Sequence, residues 1–537
     1  MFGRLLPLVL AALAIMAGLG GAEAKCVGIR SALPADDGAL CGKSAVSVPE
    51  GKGRTFHVGP GRQLESIGLV PWSTLAAGDT VFIHHRETPY REKILISGRG
   101  TPQQWIRVLG VPGPNGELPV ISGDGAVTST NNRHRWTDPR IIQWLGVVQI
   151  AVNSSEGHGP SRLPPGYIEV ANLRIQDGFS TYSFTAENGV NTPYSGFAAC
   201  IYARSAQHLV IRNNVLTNCG QGFFNWTGEG ARPDWWQALQ INTVVSGNEF
   251  YNNGNPNSYG EHQIYTESDG VIIEFNRFGP QRPGAWGSQL KDRSAGTVIR
   301  YNTMVQALRG WDMDLVEPEE GWASLSQRAS YKQAFIYGNL ITVKGSASPN
   351  FIHWNEDHQA GRGRATIAGG KLFFYHNTIV ITANLSDRNP YTLFNSTWGG
   401  YECPPSDLPG VIDVRNNIVA VIPPASNLRT QPVRWGYCGK ERFELGVNWI
   451  TGEPIHKGQV SGAQNLLPPS LGVPSFVAAE DFRLAPASPG TGSGGDLAPE
   501  VFLKGPNGDN VPSQRLKSPT EAAVREVIGR KSDLGAF

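Results

Sequence analysis

A short pattern that recurs along the middle of the sequence constrains the fold more than any other feature. Three runs of β-branched and apolar residues each end in an Asn, one variable residue and an apolar residue. The runs cover 243–250, 271–278 and 298–304, and their Asn residues are 276 − 248 = 28 and 302 − 276 = 26 positions apart. Short strands that recur at one period predict a stack of similar coils rather than alternating strands and helices.

The same pattern continues outside this window. Asn residues follow apolar runs at five further positions, namely Asn172, Asn214, Asn339, Asn377 and Asn417. Their uneven spacing fits one core coil of roughly two dozen residues with loops of variable length inserted. An Asn suits a tight bend because its amide tolerates unusual backbone angles and can bond to the same Asn one coil away. We therefore predict an all-β parallel β-helix, a solenoid in which Asn248, Asn276 and Asn302 stack at one bend.

The first 24 residues differ in character from the rest of the chain. They contain Arg4, an apolar run from Leu5 to Leu19 and a small-x-small ending, Ala22-Glu23-Ala24. This pattern predicts a cleaved signal peptide and a secreted or periplasmic protein. The run is shorter than the roughly 20 residues of a membrane span, and we expect no span elsewhere.

The mature chain is expected to have three parts. They are an N-terminal extension at 25–55, the β-helix at 56–495 and a C-terminal tail at 496–537. The amphipathic segment Gln63–Leu75 is suited to cap the first coil, because an open stack exposes its end. In the tail, Ser518–Arg530 is predicted to form a short helix.

The six cysteines form three close pairs along the sequence. The pairs are Cys26/Cys41, Cys200/Cys219 and Cys403/Cys438. In an oxidising compartment they predict three local disulfides, the first of them in the N-terminal extension. Their spacing resembles neither a zinc site nor a CxxC redox motif.

The charge balance narrows the class of partner. The chain has 46 Lys and Arg against 45 Asp and Glu, a formal net charge of +1. This balance argues against a nucleic-acid binder held by general electrostatics. We expect a monomer whose charges act locally.

Four successive predicted strands concentrate chemically active side chains on one face. Alternate residues of a strand face opposite ways, so inward Ile264 and Leu290 leave their neighbours outside. The outward pairs on the four strands are Tyr265/Glu267, Lys291/Arg293, Asp312/Asp314 and His353/Asn355. Neighbouring strands are about 4.8 Å apart, so the set would fit within roughly 15 Å. Each residue alone can equally be ordinary outer surface. The flanking coils have bland equivalents, with no charged side chain at these positions, so the set together favours a functional site.

Residues 60–495 resemble the pectate-lyase-like superfamily of secreted right-handed parallel β-helix proteins. The segment Ser288–Ser294, Ser-Gln-Leu-Lys-Asp-Arg-Ser, is similar to a Leu-Lys-x-Arg segment found in many bacterial β-helix proteins. The resemblance implies a single-stranded right-handed helix with an N-terminal cap and long inserted loops, and activity on acidic glycans. In members that resemble chondroitinase B and alginate lyase, a Lys base and an Arg lie on neighbouring coils beside a calcium ion. Here Lys291 and Arg293 share one coil, and the paired and triple Asp motifs of polygalacturonase-type glycosidases are not evident.

The residue types fit a polysaccharide lyase. Cleaving a uronate polymer by β-elimination removes a weakly acidic proton, so it needs a base and a cation that neutralises the carboxylate. Lys291 is the candidate base if Arg293 lowers its pKa from about 10.4, with His353 or Tyr265 as substitutes. The predicted oxygen ligands for Ca²⁺ are Glu267, Asp312 and Asp314. The predicted substrate-binding residues are Trp286, Trp311, Asn355 and Gln289.

Two other functions stay open. Asp312 and Asp314 can instead serve as the acid and base of a glycoside hydrolase. A non-catalytic glycan-binding surface protein would use the same outer groove as a ligand platform, since one scaffold hosts many activities. The expected partner is an acidic polysaccharide.

Overall fold

The computed structural model describes the central coils most completely. The described residues are 48–49, 51–129, 142–151, 163–226, 240–305, 311–314, 333–344, 350–355, 370–382, 391–395, 410–422, 433–435, 442–451, 454–455, 459–462, 476–478, 481–484, 488, 514–518 and 521–524. The description covers the backbone only for residues 305, 311–314, 344, 350, 354–355, 395, 433–434, 454–455, 476–478, 481–483, 514–518 and 521–524. Within these ranges the chain forms a parallel β-helix, as the Asn repeat predicts.

Three long sheets run along the helix axis, and nearly all of their strands are paired in parallel. The described strands of sheet 1 are Thr55–Val58, Thr80–His84, Ile106–Val111, Gly166–Ala171, Gln207–Arg212, Ile241–Ser246, Asp269–Glu274, Ala295–Arg300, Gln333–Tyr337, Lys371–Tyr375, Val411–Arg415, Arg442–Leu445 and Gln459–Ser461. Those of sheet 2 are Ile94–Ile96, Gly146–Ile150, Ala199–Arg204, Gln221–Trp226, Ile264–Thr266, Leu290–Asp292, Trp311–Asp314, Asn350–Asn355, Tyr391–Asn395, Val433–Arg434 and Pro454–Ile455. Those of sheet 3 are Val120–Ser122, Arg174–Gln176, Val215–Thr217, Glu249–Tyr251, Arg277–Phe278, Thr303–Val305, Leu340–Lys344, Thr378–Thr382, Ile418–Val421 and Trp449–Ile450.

From Ile106 onward, each described coil passes through the sheets in the order 1, 3, 2. In sheet 1, alternate residues such as Val271 and Ile273 point into the helix and are buried in one continuous apolar core. The inward residues of sheets 2 and 3, such as Leu290 and Phe250, join the same core. Period-2 apolar runs therefore build the interior and leave the other face of each strand for other roles.

The bend between sheets 1 and 3 carries an asparagine ladder. In each coil the Asn side-chain oxygen accepts the backbone N–H and the side-chain amide of the Asn one coil earlier. The side-chain bonds within the ladder are 2.9–3.1 Å long. The ladder residues are Asn214, Asn248, Asn276, Asn302, Asn339, Asn377, Asn417 and Asn448. The predicted stacking of Asn248, Asn276 and Asn302 is confirmed.

The prediction that Asn172 belongs to the ladder is wrong by one position, because Leu173 is the residue at the ladder position of that coil. Asn172 has φ +59° and occupies the left-handed position that precedes the ladder, like Asn213 with φ +54°. Leu173 follows it, and the Leu173 backbone N–H donates to the side-chain oxygen of Asn214 at 3.0 Å. Asn suits both the left-handed position and the ladder position of the bend. It adopts left-handed backbone angles, and its side chain can hydrogen-bond to the neighbouring coil. Asn448, which the sequence analysis did not select, closes the described ladder.

The cap lies where the sequence predicts it. Gln63–Leu75 contains two short 3₁₀ helices, Ile67–Leu69 and Trp72–Thr74. Ile67, Val70 and Trp72 are buried against the main core and cover the first coil. Pro71 divides the segment and prevents a continuous helix across it, because it lacks a backbone donor.

The C-terminal region also differs from the expectation. Gln514–Ser518 and Glu521–Val524 pair as antiparallel strands, so the helix predicted from Ser518 does not form in the described part of that segment. Phe476–Ala478 and Asp481–Leu484 form another antiparallel pair, and Leu484 packs on Ile418 and Trp449 of sheet 3.

Smaller elements complete the description. A third 3₁₀ helix is Gln143–Leu145, and a small sheet contains Ala126–Val127, Ser183–Thr185 and Asn191–Pro193. The predicted Cys200–Cys219 disulfide is confirmed, and both sulfurs lie inside the core. The cysteines of the other two predicted pairs, and the predicted signal peptide, lie outside the described residues. Among the described residues, no helix has the length and apolar character needed to cross a membrane.

Candidate active site

The register of sheet 2 brings the predicted site residues together. Tyr265 pairs with Lys291, Lys291 with Asp312, and Asp312 with His353. The preceding residues Ile264 and Leu290 are core residues, so these four positions belong to the outward column. They follow one another on successive coils, about 4.8 Å apart at the backbone. The sequence predicts this adjacency.

A second outward column lies beside the first. Continuing the register by one residue places Glu267 beside Arg293, and Arg293 beside Asp314. Asp314 in turn pairs with Asn355. The Arg293 backbone N–H donates to the Thr266 carbonyl at 2.8 Å, which keeps the two coils in register beyond the last paired residue. The outer face therefore holds alternating anionic and cationic positions.

This outer face is largely shielded from solvent. Only 8% of Lys291, 3% of Arg293 and 8% of His353 is accessible to solvent. Glu267 is 1% exposed. Charges with so little water around them interact more strongly than surface charges do, because the local dielectric constant is lower. A charged ligand in the recess would therefore interact strongly with these side chains.

Tyr265 links the two cations of the recess. One Arg293 guanidinium nitrogen donates to the Tyr265 hydroxyl at 3.5 Å, a long hydrogen bond. The Lys291 ammonium lies 5.9 Å from the centre of the Tyr265 ring, within the range of a cation–π contact. A phenol, a primary amine and a guanidinium thus share one small region on two adjacent coils.

The predicted calcium site stays a prediction. Among the side chains that the structure describes, no group of three or more His, Cys, Asp or Glu is placed to hold a metal ion. The side chains of Asp312 and Asp314 are outside that description. At the backbone level, the coil that carries Lys291 and Arg293 separates Glu267 from both aspartates. Two cations between the proposed ligands do not favour a divalent ion bound by all three carboxylates.

The predicted substrate-binding residues lie in different environments. Trp286 is 43% exposed, and its ring centre is 5.1 Å from that of Tyr259 on the preceding coil. Gln289 is fully buried and donates to the Gly279 carbonyl at 3.3 Å, which indicates a structural role. Trp311 pairs with Leu290 and Ile352, both core residues, so its position belongs to the inward column. Of Trp286 and Gln289, whose side chains the structure describes, Trp286 is the accessible one.

The sequence analysis missed an aromatic stack that leads to Lys291. Tyr202, Phe224 and Tyr265 pair in register on three successive coils of sheet 2. The ring centres of Tyr202 and Phe224 are 5.2 Å apart, and those of Phe224 and Tyr265 are 4.9 Å apart. Phe224 belongs to a coil that the sequence analysis treated as bland. Aligning the three strands position by position, instead of inspecting each alone, would have found the stack.

Two buried titratable residues close to the recess were also missed. Asp292 faces inward between Lys291 and Arg293, and burial raises its pKa although Thr297, Thr266 and Ser294 donate hydrogen bonds to it. His262 lies 5.8 Å from Tyr265, measured between ring centres. The Ser288 backbone N–H donates to His262 Nδ1 at 2.9 Å, so a neutral His262 carries its proton on Nε2. The sequence repeat aligns His262 with Ser288, which concealed the histidine.

Comparisons with known proteins support no transfer of function. No family model and no curated protein sequence matches the chain. Among solved structures, it is similar to a pectate lyase, Pel9A, with 11% identity and a TM-score of 0.39 over 91% of this chain and 97% of that one. An alginate lyase from Paenibacillus sp. str. FPU-7 matches with 10% identity and a TM-score of 0.32 over 73% of this chain and 95% of that one. XylC, whose structure contains xylose, matches with 12% identity and a TM-score of 0.38 over 75% of this chain and 76% of that one. These values are too low to assign a residue role, and the fold rests on the sheets described above.

Proposed function

We propose that the protein is an exported enzyme that cleaves an acidic, uronate-containing polysaccharide by β-elimination in the recess of sheet 2. The observation that carries the proposal is the position of Lys291 and Arg293. They lie two residues apart on one outward strand face, recessed, and both contact Tyr265. Export agrees with the buried Cys200–Cys219 disulfide, because disulfides persist in oxidising compartments.

Arg293 has the properties needed to bind and activate the substrate. The proton removed in the reaction lies next to a carboxylate, and its loss spreads negative charge onto that group. A guanidinium can pair with a carboxylate through two parallel hydrogen bonds. Because Arg293 is 3% exposed, little water would weaken that pairing. Arg293 would therefore stabilise the transition state more than the ground state.

Lys291 is placed to remove the proton. A base has to lie beside the proton that it removes. Lys291 is 8% exposed and lies two residues from Arg293 on the same face, so a substrate carboxylate paired with Arg293 would bring its neighbouring proton close to the lysine. His353, two coils further along the same column, is the alternative base.

The elimination balances without any added reactant. The base takes the proton from the carbon next to the carboxylate, and the released electron pair forms a carbon–carbon double bond. The bond from the adjacent carbon to the glycosidic oxygen breaks, and that oxygen takes up a proton. Tyr265 is the proposed proton donor, because its hydroxyl is hydrogen-bonded to Arg293 and its ring lies 5.9 Å from the Lys291 ammonium. The products are one unsaturated chain end and one free hydroxyl end.

The proposal is tested by the products formed from a panel of uronate polymers. We expect the purified protein to generate the ultraviolet absorbance of an unsaturated uronate with at least one polymer. Lys291→Ala should abolish this signal, whereas Lys52→Ala, a change at an exposed lysine far from sheet 2 in the sequence, should not. Saturated products would favour the hydrolase that uses Asp312 and Asp314. Binding of a polymer without cleavage would instead indicate a glycan-binding protein.

A further inference from the structure

A second concave site lies on a different face of the helix, at its N-terminal end. The cavity has a volume of about 270 Å³, and its floor is the outer face of sheet 3 at Val120, Arg174 and Val215. These three residues pair in register on successive coils, so the floor is rigid. Its walls are His85 and the loop that carries Asn115 and Glu117. Ligand pockets for drug-sized molecules start near 300 Å³, so this cavity suits a ligand of one sugar ring.

Arg174 gives the cavity an anion-binding group. Its Nε donates to the Gln176 side-chain oxygen at 2.6 Å, which fixes the plane of the guanidinium. Arg174 is half-buried and lines the cavity, and its two terminal nitrogens have four further N–H donors. A fixed guanidinium with free donors matches the two oxygens of a carboxylate.

Glu117 gives the same cavity a hydrogen-bond acceptor. The Asn115 backbone N–H and side-chain amide donate to its two carboxylate oxygens at 3.0 and 2.8 Å. The pKa of Glu117 is lowered, chiefly by the Asn115 side-chain bond, so the carboxylate stays ionised at neutral pH. The imidazole of His85 lies beside Gly113, close enough to Glu117 to contribute to the lowering of its pKa. An ionised carboxylate that is held in place can accept hydrogen bonds from the hydroxyl groups of a sugar.

We infer that this cavity binds one acidic sugar residue. The carboxylate of the sugar would pair with Arg174, its ring would lie on Val120 and Val215, and its hydroxyls would donate to Glu117. A neutral sugar lacks the partner for Arg174. A simple anion lacks the ring and hydroxyls that the floor and Glu117 would contact. The inference shares its ligand class with the proposed function but uses none of the residues of the sheet 2 recess.

The test measures binding of monosaccharides, so it is independent of turnover. Titration of the full-length protein with glucuronate, observed by NMR or calorimetry, should show binding that is at least tenfold tighter than binding of glucose or acetate. Arg174→Ala should weaken glucuronate binding at least tenfold. The control Arg91→Ala changes a surface arginine paired with Asp124 and should have no effect.

A second variant keeps the test decisive if Arg174→Ala perturbs the fold. Glu117 is exposed, so Glu117→Gln should leave the melting temperature unchanged while it weakens glucuronate binding. Absence of glucuronate binding would overturn the inference, and so would equal binding of glucose, acetate or inorganic phosphate. Unchanged binding in both variants would overturn it as well. Loss of polymer cleavage in Lys291→Ala with intact glucuronate binding would separate this site from the proposed function.

Discussion

Replacing Asn302 with alanine should destabilise the protein more than almost any other polar substitution in its coils. Asn302 is 1% exposed and lies in the middle of the asparagine ladder. Its side-chain oxygen accepts the backbone N–H and the side-chain amide of Asn276 at 2.9 and 3.0 Å. Its side-chain amide donates to the Ile273 carbonyl at 2.9 Å and to the Asn339 oxygen at 3.0 Å. Alanine removes all four bonds.

The expected loss in the free energy of unfolding depends on which hydrogen bonds the partners of Asn302 keep. The Asn276 amide keeps its bond to the Val245 carbonyl, and the Asn339 oxygen keeps the backbone N–H of residue 302. The backbone N–H of Asn276 loses its acceptor in a buried site. Net contributions are about 1 kcal/mol per bond, and a buried group left without a partner costs about 1–3 kcal/mol. We therefore expect a loss of about 4 kcal/mol in the free energy of unfolding.

Urea unfolding followed by circular dichroism measures this loss. Hydrogen exchange should place the weakened protection in the coils that contain Asn276 and Asn339, because coils of a solenoid contact mainly their neighbours. The control Asn188→Ala removes one bond to the Val190 N–H in an exposed turn and should change stability by less than about 0.5 kcal/mol. If Asn302→Ala unfolded within about 0.5 kcal/mol of the wild type, the ladder would not be what stabilises the coils.

Two further predictions concern the core. Because burial raises the pKa of Asp292, its contribution to stability is present below the unfolded value and is lost as pH rises through the folded pKa. Asp292→Asn cannot titrate, so it should lose a pH slope of stability of up to about 1.4 kcal/mol per unit, as thermal melts across pH would show. Replacing Cys200 and Cys219 with serine opens a loop of 19 residues and should lower the free energy of unfolding by about 3 kcal/mol in urea titrations. A pH slope retained in Asp292→Asn would contradict the first prediction, and full stability of the serine variant would contradict the second.

The repeat predicted the fold because the same physical requirement recurs in every coil. Alternating apolar residues and an Asn at one bend are local signals, so Asn248, Asn276 and Asn302 could be aligned without a structure. Asn172 shows the limit of this signal, since an Asn in a left-handed turn position and an Asn in the ladder look alike in sequence.

The candidate site was predictable in position but not in environment. Strand alternation placed Tyr265, Lys291 and His353 in one column. It does not report what covers a sheet, so the low exposure of Lys291 and Arg293 was not foreseen. Contacts between coils, such as Tyr202 with Phe224, depend on register between distant segments, which a single strand does not encode.

The most direct test of the proposed elimination at Lys291 is to cleave the polymer in oxygen-18-labelled water and to measure the product masses by mass spectrometry. Elimination adds no water across the broken bond, so we expect unsaturated ends, no oxygen-18 in the new ends, and no product at all from Lys291→Ala. Arg293→Ala should also lose a hundredfold or more in rate, because a transition-state charge would lose its partner. Hydrolysis would place one labelled oxygen per cleavage, in one of the two products, and labelled products that form equally well with Lys291→Ala would contradict the proposed mechanism.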